Sequence, residues 1–329
     1  MQRRTFMKGV GAAAVLSGLS TRAFSAPQHN LQLGFIMAEG DPCDVASRKF
    51  KAIVEERTGG DVTCTIHTNG LLGTETGLWD GMQIGSVDIA VTGVGPVSAF
   101  APQFQGVLMP YAVRDYEQIE KIYNGEVGDE LKAVLRNAKG GEVLDFWYRG
   151  PRNVTANKAV RTPDDIKGLK LRTPQGKIYL EAFAALGAQP TPMAFGELFN
   201  ALEQGVVDGQ ENPLDVIITM HFDEVQSHVS LTQHQLTPYF FSIRGATLDA
   251  LSADQQQAVR EAAVEAGVFE KELILSSEES NKKTLADRGM TVVEDVDRAA
   301  FAAILDEKAR QLEADGVWMK GLYDRLQDA

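Results

Sequence analysis

Cysteine is nearly absent from this chain of 329 residues: Cys43 and Cys64 are the only two. Two thiols are too few for a cysteine-held iron–sulfur cluster or for a disulfide-stapled scaffold. They could form one bridge in an oxidising compartment, but the reading favoured here is two free, buried thiols. Histidine is also scarce. His29, His67, His221, His228 and His234 are the five, and none is spaced to hold zinc with another. No cofactor or metal site is expected. A Gly-x-Ser-x-Gly nucleophile elbow is missing too. The longest uniformly apolar run, Val10 to Leu19, is too short to span a bilayer. Positive charge is in deficit: 32 Lys and Arg stand against 45 Asp and Glu, a formal net charge of −13. Such a field repels a polyanion, so nucleic acid is an unfavourable partner. It admits an anionic ligand only at a local positive pocket.

What is present begins at the N-terminus. Arg3-Arg4-Thr5-Phe6-Met7-Lys8 precedes the apolar run, and small residues gather at Ala23-Phe24-Ser25-Ala26. Twin arginines, then an aromatic and a lysine, then a short apolar stretch have the form of a twin-arginine export signal spanning 1–26. That places the protein in the periplasm. The remainder, with 44% hydrophobic and 23% charged residues, has an ordinary globular composition and a length that suits two lobes.

Periodicity suggests strand–helix–strand–helix–strand from Leu31 to Thr92, which implies right-handed βαβ units and a parallel sheet. Asp41-Pro42 opens the first helix, and Thr74 is placed to cap the second. Residues 93–114 carry several prolines and glycines and read as loops at a cleft rim. Arg149-Gly150-Pro151 reads as a crossing into a second lobe, and Leu236 to Pro238 as the return. From Ser252 to Arg288 the helical pattern runs without proline and with one glycine, Gly267. A helix of about 37 residues would be about 55 Å long at 1.5 Å per residue, so it should run along both lobes. The expected fold is α/β and two-lobed. Lobe I comprises 27–149 and 238–277, and lobe II comprises 150–237 and 278–329 with the C-terminal helices.

The organising stretch runs from Gly168 to Pro213. Leu169 to Arg172 reads as a strand stopped by Pro174, which puts the Arg172 guanidinium at a strand's carboxyl end, where ligands of open α/β sheets sit. Asn212 precedes Pro213 and is held extended. A fixed cationic fork and a neutral amide on stiff backbone suit a carboxylate and a hydroxyl. Glu75 lies in the first turn of a helix. There it either only complements the helix dipole or accepts a hydrogen bond from a ligand.

Gly168-Leu-Lys-Leu-Arg172, Pro192-Met-Ala-Phe195 and Asp208-Gly-Gln-Glu-Asn-Pro213 resemble signatures of the solute-binding proteins of TRAP transporters, the DctP-type family. The same holds for Glu55-Glu-Arg-Thr-Gly-Gly60, Asn69-Gly-Leu-Leu-Gly73 and Arg152-Asn-Val-Thr155. The resemblance covers nearly the whole chain beyond residue 26. It implies a two-lobed periplasmic-binding-protein fold that captures a small organic acid between its lobes and delivers it to membrane permease subunits, without catalysis. Dicarboxylates, sugar acids, sialic acid and keto acids are the candidate ligands. It implies that Arg172 pairs with the carboxylate, that Arg152 is a second arginine holding the other oxygen or orienting Arg172, and that Phe195 walls the ligand. Asn212 and Glu75 become ligand contacts, and Tyr239, near the return crossing, is the last candidate. The family often has His-Pro where this chain has Asp41-Pro42, which puts a ligand role for position 41 in doubt. The rival reading is a secreted lyase or hydrolase acting on an acidic sugar, with Glu75 and Glu211 as an acid–base pair. A carrier that docks to a chemoreceptor would share the fold.

Replacing Arg3 and Arg4 by lysine should trap uncleaved precursor in the cytoplasm. Fractionation showing an unchanged periplasmic yield would remove the twin-arginine assignment.

Overall fold

The computed structural model describes residues 27–93 and 95–329. The export signal read in residues 1–26 lies outside them. Two sheets form the frame. The first contains β1 (His29–Gly34), β2 (Val62–His67), β3 (Ile89–Thr92), β4 (Gly141–Trp147) and β10 (Tyr239–Arg244), in the order β2-β1-β3-β10-β4. The second contains β5 (Pro151–Ala156), β6 (Lys170–Thr173), β7 (Gln189–Pro192), β8 (Gly209–Asn212), β9 (His228–Leu236) and β11 (Thr291–Val293), in the order β11-β9-β5-β8-β6-β7.

β1 runs parallel to β2 and β3, as helix-linked strands must when the connecting helix packs back on the sheet. The sheet is nevertheless mixed. β10 arrives from the other lobe and inserts antiparallel between β3 and β4. Its Phe240 and Phe241 point to opposite faces. Phe240 meets Tyr123 and Phe146, and Phe241 meets Phe50 and Trp147. The second sheet is mixed in the same way: β5 is antiparallel to both β8 and β9, and β6 is parallel to β7 and β8. The chain changes sheets three times: between β4 and β5 at 148–150, between β9 and β10 at 237–238, and between β10 and β11 through the long helix.

The long helix is Ala253–Asp287, opened by a capping box in which Ser252 Oγ accepts from Gln255 N and Gln255 Oε1 accepts from Ser252 N. It packs on helix Pro42–Arg57 and β4 of the first sheet's lobe, and on helix Leu214–Thr219 and β11 of the second's. Its one glycine is a point of close approach. A Cβ on Gly267 would sit 2.5 Å from both Trp147 Cδ1 and Asp145 Oδ2. That gap seats the Trp147 indole, whose Nε1 donates to the Ala263 carbonyl at 2.9 Å.

One expectation is corrected, and a second is extended. Residues 95–108 are mainly helical and not the loops expected, although Gly95 does stand at the rim of the gap between the lobes. They contain helix Gly95–Phe100 and the 3-10 helix Pro102–Leu108, with Phe104, Val107, Leu108 and Met109 buried. The prolines there start helical turns, where a missing N–H costs nothing. The final helix, Leu322–Gln327, was expected in lobe II; it packs on helix Arg298–Ala314 of that lobe and also on Pro102–Leu108 of the first. Trp318, Leu322 and Leu326 bury their apolar faces there, and Gln118 Nε2 donates to the Leu326 carbonyl.

Alanine at position 267 should lower the melting temperature, although alanine is favoured over glycine in a helix by about 1 kcal/mol. Overpacking against Trp147 costs roughly 1–3 kcal/mol and outweighs that gain. Calorimetry of Gly267→Ala showing equal or higher stability would mean that the helix shifts to accept the methyl.

Candidate functional site

A cavity of about 310 Å³ lies between the lobes. The first lobe supplies Ile36, Asn69, Glu75 and Arg149 to its wall; the second supplies Arg152, Arg172, Tyr179, Phe195 and Asn212.

Arg172 sits near the end of β6, before Thr173-Pro174. It is 3% exposed. Its Nε and Nη2 both donate to the Met193 carbonyl, at 3.2 and 2.9 Å. The guanidinium carbon lies 5.8 Å from the Phe195 ring centre. No carboxylate among the described residues pairs with it. Burial, only partly offset by the field of Glu211, lowers its pKa to about 10. An arginine shifted in that direction is a buried cation short of counter-charge.

Arg152 differs. Its guanidinium grips Glu211 on the neighbouring β8 with two bonds, Nε to Oε2 and Nη2 to Oε1, and Nη2 also donates to the Glu211 backbone carbonyl. His234 Nε2 lies 3.2 Å from the same carboxylate, and its Nδ1 is 2.8 Å from Thr232 Oγ1. Burial alone would raise the Glu211 pKa, but Arg152 and His234 hold it at about 2. Arg152 therefore reaches the cavity with its charge already balanced.

Asn212 donates through Nδ2 to Gln210 Oε1, and its Oδ1 is buried with no partner. Phe195 stands in a 3-10 turn at the wall and meets Phe222 edge-on at 6.2 Å. Glu75 follows the Thr74 N-cap, and its Oε1 accepts the Gly93 N–H at 2.7 Å while its side chain lines the cavity. Tyr239 is not at the wall. It is buried behind Arg149, its ring centre 4.6 Å from that guanidinium and its hydroxyl unpartnered.

Arg149 and Tyr179 were not read as site residues. Arg149 stands two residues beyond β4, at a strand's carboxyl end like Arg172. That signal was available, but the adjacent Gly-Pro drew attention to the crossing instead. Behind Arg149 lie Asp41, Asp215 and Glu270, from three different helices. Asp41 caps its helix by accepting from Cys43 N, and its Oδ2 accepts from Thr219 Oγ1 of the other lobe at 3.2 Å. It does not line the cavity. Neither carboxylate oxygen of Glu270 has a partner. Burial pushes Asp41 up to about 6 and Asp215 to about 7, and holds Glu270 well above the carboxylate range. Cys43 and Cys64 are free and buried. Among the described residues no group of three His, Cys, Asp or Glu is arranged to hold a metal ion.

The family model of the bacterial extracellular solute-binding proteins, family 7, matches residues 33–315. The chain belongs to this family, DctP. Its fold is that of the family's solved members. The crystal structure of a TRAP periplasmic solute-binding protein from Roseobacter denitrificans with bound L-galactonate superposes with a TM-score of 0.85. That protein is 34% identical, and the match covers 92% of this chain and 99% of the other. A Polaromonas protein bound to D-erythronate gives 0.84 at 32% identity, covering 91% and 98%. The 2,3-diketo-L-gulonate-binding periplasmic protein of Escherichia coli is 34% identical over 300 residues, 91% of this chain and 90% of its own. These family members are substrate-binding proteins.

The raised acids set a pH dependence. Asp41 and Asp215 ionise near 3.8 when unfolded and at about 6 and 7 when folded. Between those values the folded chain holds protons that the unfolded chain has released, so stability falls as pH rises through that window. Asp215→Asn should flatten the fall in melting temperature between about pH 4 and pH 7 and raise the value at the upper end. An unchanged slope would show that Asp215 is already ionised in the folded protein.

Proposed function

We propose that this DctP-family protein captures a sugar acid between its lobes in the periplasm and hands it to the permease subunits of a TRAP transporter. The observation that carries the reading is Arg172, a buried, cavity-facing cation without a carboxylate partner. A buried charge is costly unless paired, so the site is poised for an anion. A ligand carboxylate can take the guanidinium edge left free by Met193. Asn212 Oδ1 offers an acceptor for a hydroxyl, and Phe195 offers an apolar wall. The relatives named for a diketo sugar acid, or holding L-galactonate and D-erythronate, support an acid of that kind. Export by the twin-arginine route and closure about 149–151 and 236–238 belong to the same proposal.

Turnover finds no support in the geometry. Glu211, the partner Glu75 would need for acid–base chemistry, is held ionised and saturated by Arg152. Such a carboxylate can neither donate a proton at neutral pH nor accept one readily. Product analysis after incubation with each acid tests this part directly.

Calorimetry and small-angle scattering across a panel of sugar acids test the whole. At least one acid should bind and reduce the radius of gyration. A charged hydrogen bond is worth roughly 1.5–3 kcal/mol, so Arg172→Ala should weaken binding at least about tenfold and leave the scattering profile at its free form. Arg172→Lys keeps the charge but loses the fork, and should recover only part of the affinity. A folded Arg172→Ala protein with unchanged affinity would place the carboxylate elsewhere.

A further inference from the structure

Arg149 joins the ligand cavity to the hinge. It follows β4 at the first crossing and lines the cavity. Its guanidinium lies 4.6 Å from the ring centre of Tyr239, the first residue of β10 after the second crossing. It is 8% exposed, its Nε has no partner, and no carboxylate among the described residues pairs with it. Behind it, carboxyls from three separate elements gather. Asp41 caps helix Pro42–Arg57 of the first lobe, Asp215 lies in helix Leu214–Thr219 of the second, and Glu270 is on the long helix. Asp41 and Glu270 are buried and Asp215 is partly so. Asp41 accepts from Thr219 across the gap, and both Glu270 oxygens are unpartnered. The other titratable groups facing this cluster are Cys43 and Asp44 on the Asp41 helix, Asp145 on β4, and Tyr148 and Tyr239 beside the crossings. None of these is a cation, and Asp44 is already paired with Arg48. On the cavity side Arg149 also stands in the field of Glu75, Tyr179 and Glu211. Three acids therefore share one guanidinium, and they cannot all ionise in so dry a layer.

We propose that anion capture in the cavity is coupled, through Arg149, to proton uptake by this hinge cluster. This rests on the sugar-acid reading above and adds a response on the hinge side of the same site. In the empty protein the Arg149 charge favours ionisation of Asp41, Asp215 and Glu270 alike, while burial and mutual repulsion oppose it. An anion held in the cavity offsets part of the Arg149 field. That field acts through space, so the anion need only share the cavity. The acids behind then lose counter-charge, and a proton from solvent joins a carboxylate oxygen of Asp41 or Asp215. These two titrate at about 6 and about 7, which puts the uptake near neutral pH. Glu270, held well above the carboxylate range, stays protonated throughout. Linkage of this kind is reciprocal: an anion that favours the proton is itself favoured by the proton. The proton also helps the lobes meet. Asp41 and Asp215 stand on opposite lobes and repel each other when both are ionised.

Calorimetry with L-galactonate and D-erythronate, repeated in buffers of different ionisation enthalpy, counts the protons taken up. Both acids are ionised above about pH 5, so any uptake belongs to the protein. Each complex that forms should gain a fraction of a proton between about pH 6 and pH 8, and bind at least about threefold more tightly at the lower value. Asparagine mimics the protonated acid and still caps a helix at position 41. Asp41→Asn together with Asp215→Asn should therefore abolish the uptake and give the protein, at the upper pH, the affinity that the wild type has at the lower. Arg149→Met should abolish the uptake and weaken binding. Binding without uptake would overturn the coupling and leave the sugar-acid reading intact. So would an uptake that survives in the double asparagine variant, because the proton would then sit on another group, such as Asp145 or the His234 beside Glu211. Carboxyl-carbon NMR of the free protein gives a check that needs no ligand. Asp41 or Asp215 should titrate above about pH 5, and both titrating below it would overturn the coupling as well. If neither acid binds, the sugar-acid reading falls and the coupling falls with it.

Discussion

A buried guanidinium without a counter-ion is the constraint around which the site is built. Arg172 is held by one carbonyl, from Met193, and by the face of Phe195. Desolvation of a cation is expensive, and one neutral acceptor does not offset it. The arrangement persists because water can enter the cavity when it is empty and an anion can replace that water when it is filled. The neighbouring arginine shows the alternative. Arg152 is saturated by Glu211, and that pair stiffens the β5–β8 ladder beside the unsatisfied cation. Arg152 is neutralised within the protein, and Arg172 is not.

The frame makes this possible by bringing two sheets edge-on to one gap. Each crossing delivers a charged or aromatic residue to the junction: Arg149 follows β4, and Tyr239 opens β10. The long helix runs behind both and contributes Glu270. Asp41 and Thr219, from opposite lobes, share a hydrogen bond there. The junction is therefore a polar, partly protonated layer, unlike the apolar cores on either side. Such a layer is less costly to separate and re-form than a hydrophobic seam, because its groups are hydrated when exposed.

Much of this was legible in linear order. The strand at β6 with Arg172 at its end, the N-caps Asp41, Thr74 and Ser252, and the uninterrupted long helix all follow from local rules: proline stops, cap residues and apolar period. Asn212, Phe195, Glu75 and Arg152 were named before any geometry, and the structure brings all four to the cavity wall. Tyr239 was misplaced because an alternating strand reveals which residues share a face but not what covers that face. The last helix, placed in lobe II, also reaches the first lobe, and its sequence could not show that for a similar reason. Its apolar stripe states that it must be buried, not against which partner.

The chain's own pattern of residues determined the two-sheet α/β class and the cationic character of the site, because each depends on neighbours within a few positions. Only the tertiary structure decided which of Arg152 and Arg172 stays unpaired. Arg152 and Glu211 are 59 positions apart and meet through the β5–β8 pairing. Glu75 and Arg149 come together beside Gly93 from three separate segments. Charge compensation acts through space over a few ångströms, and distance along the chain carries no record of it.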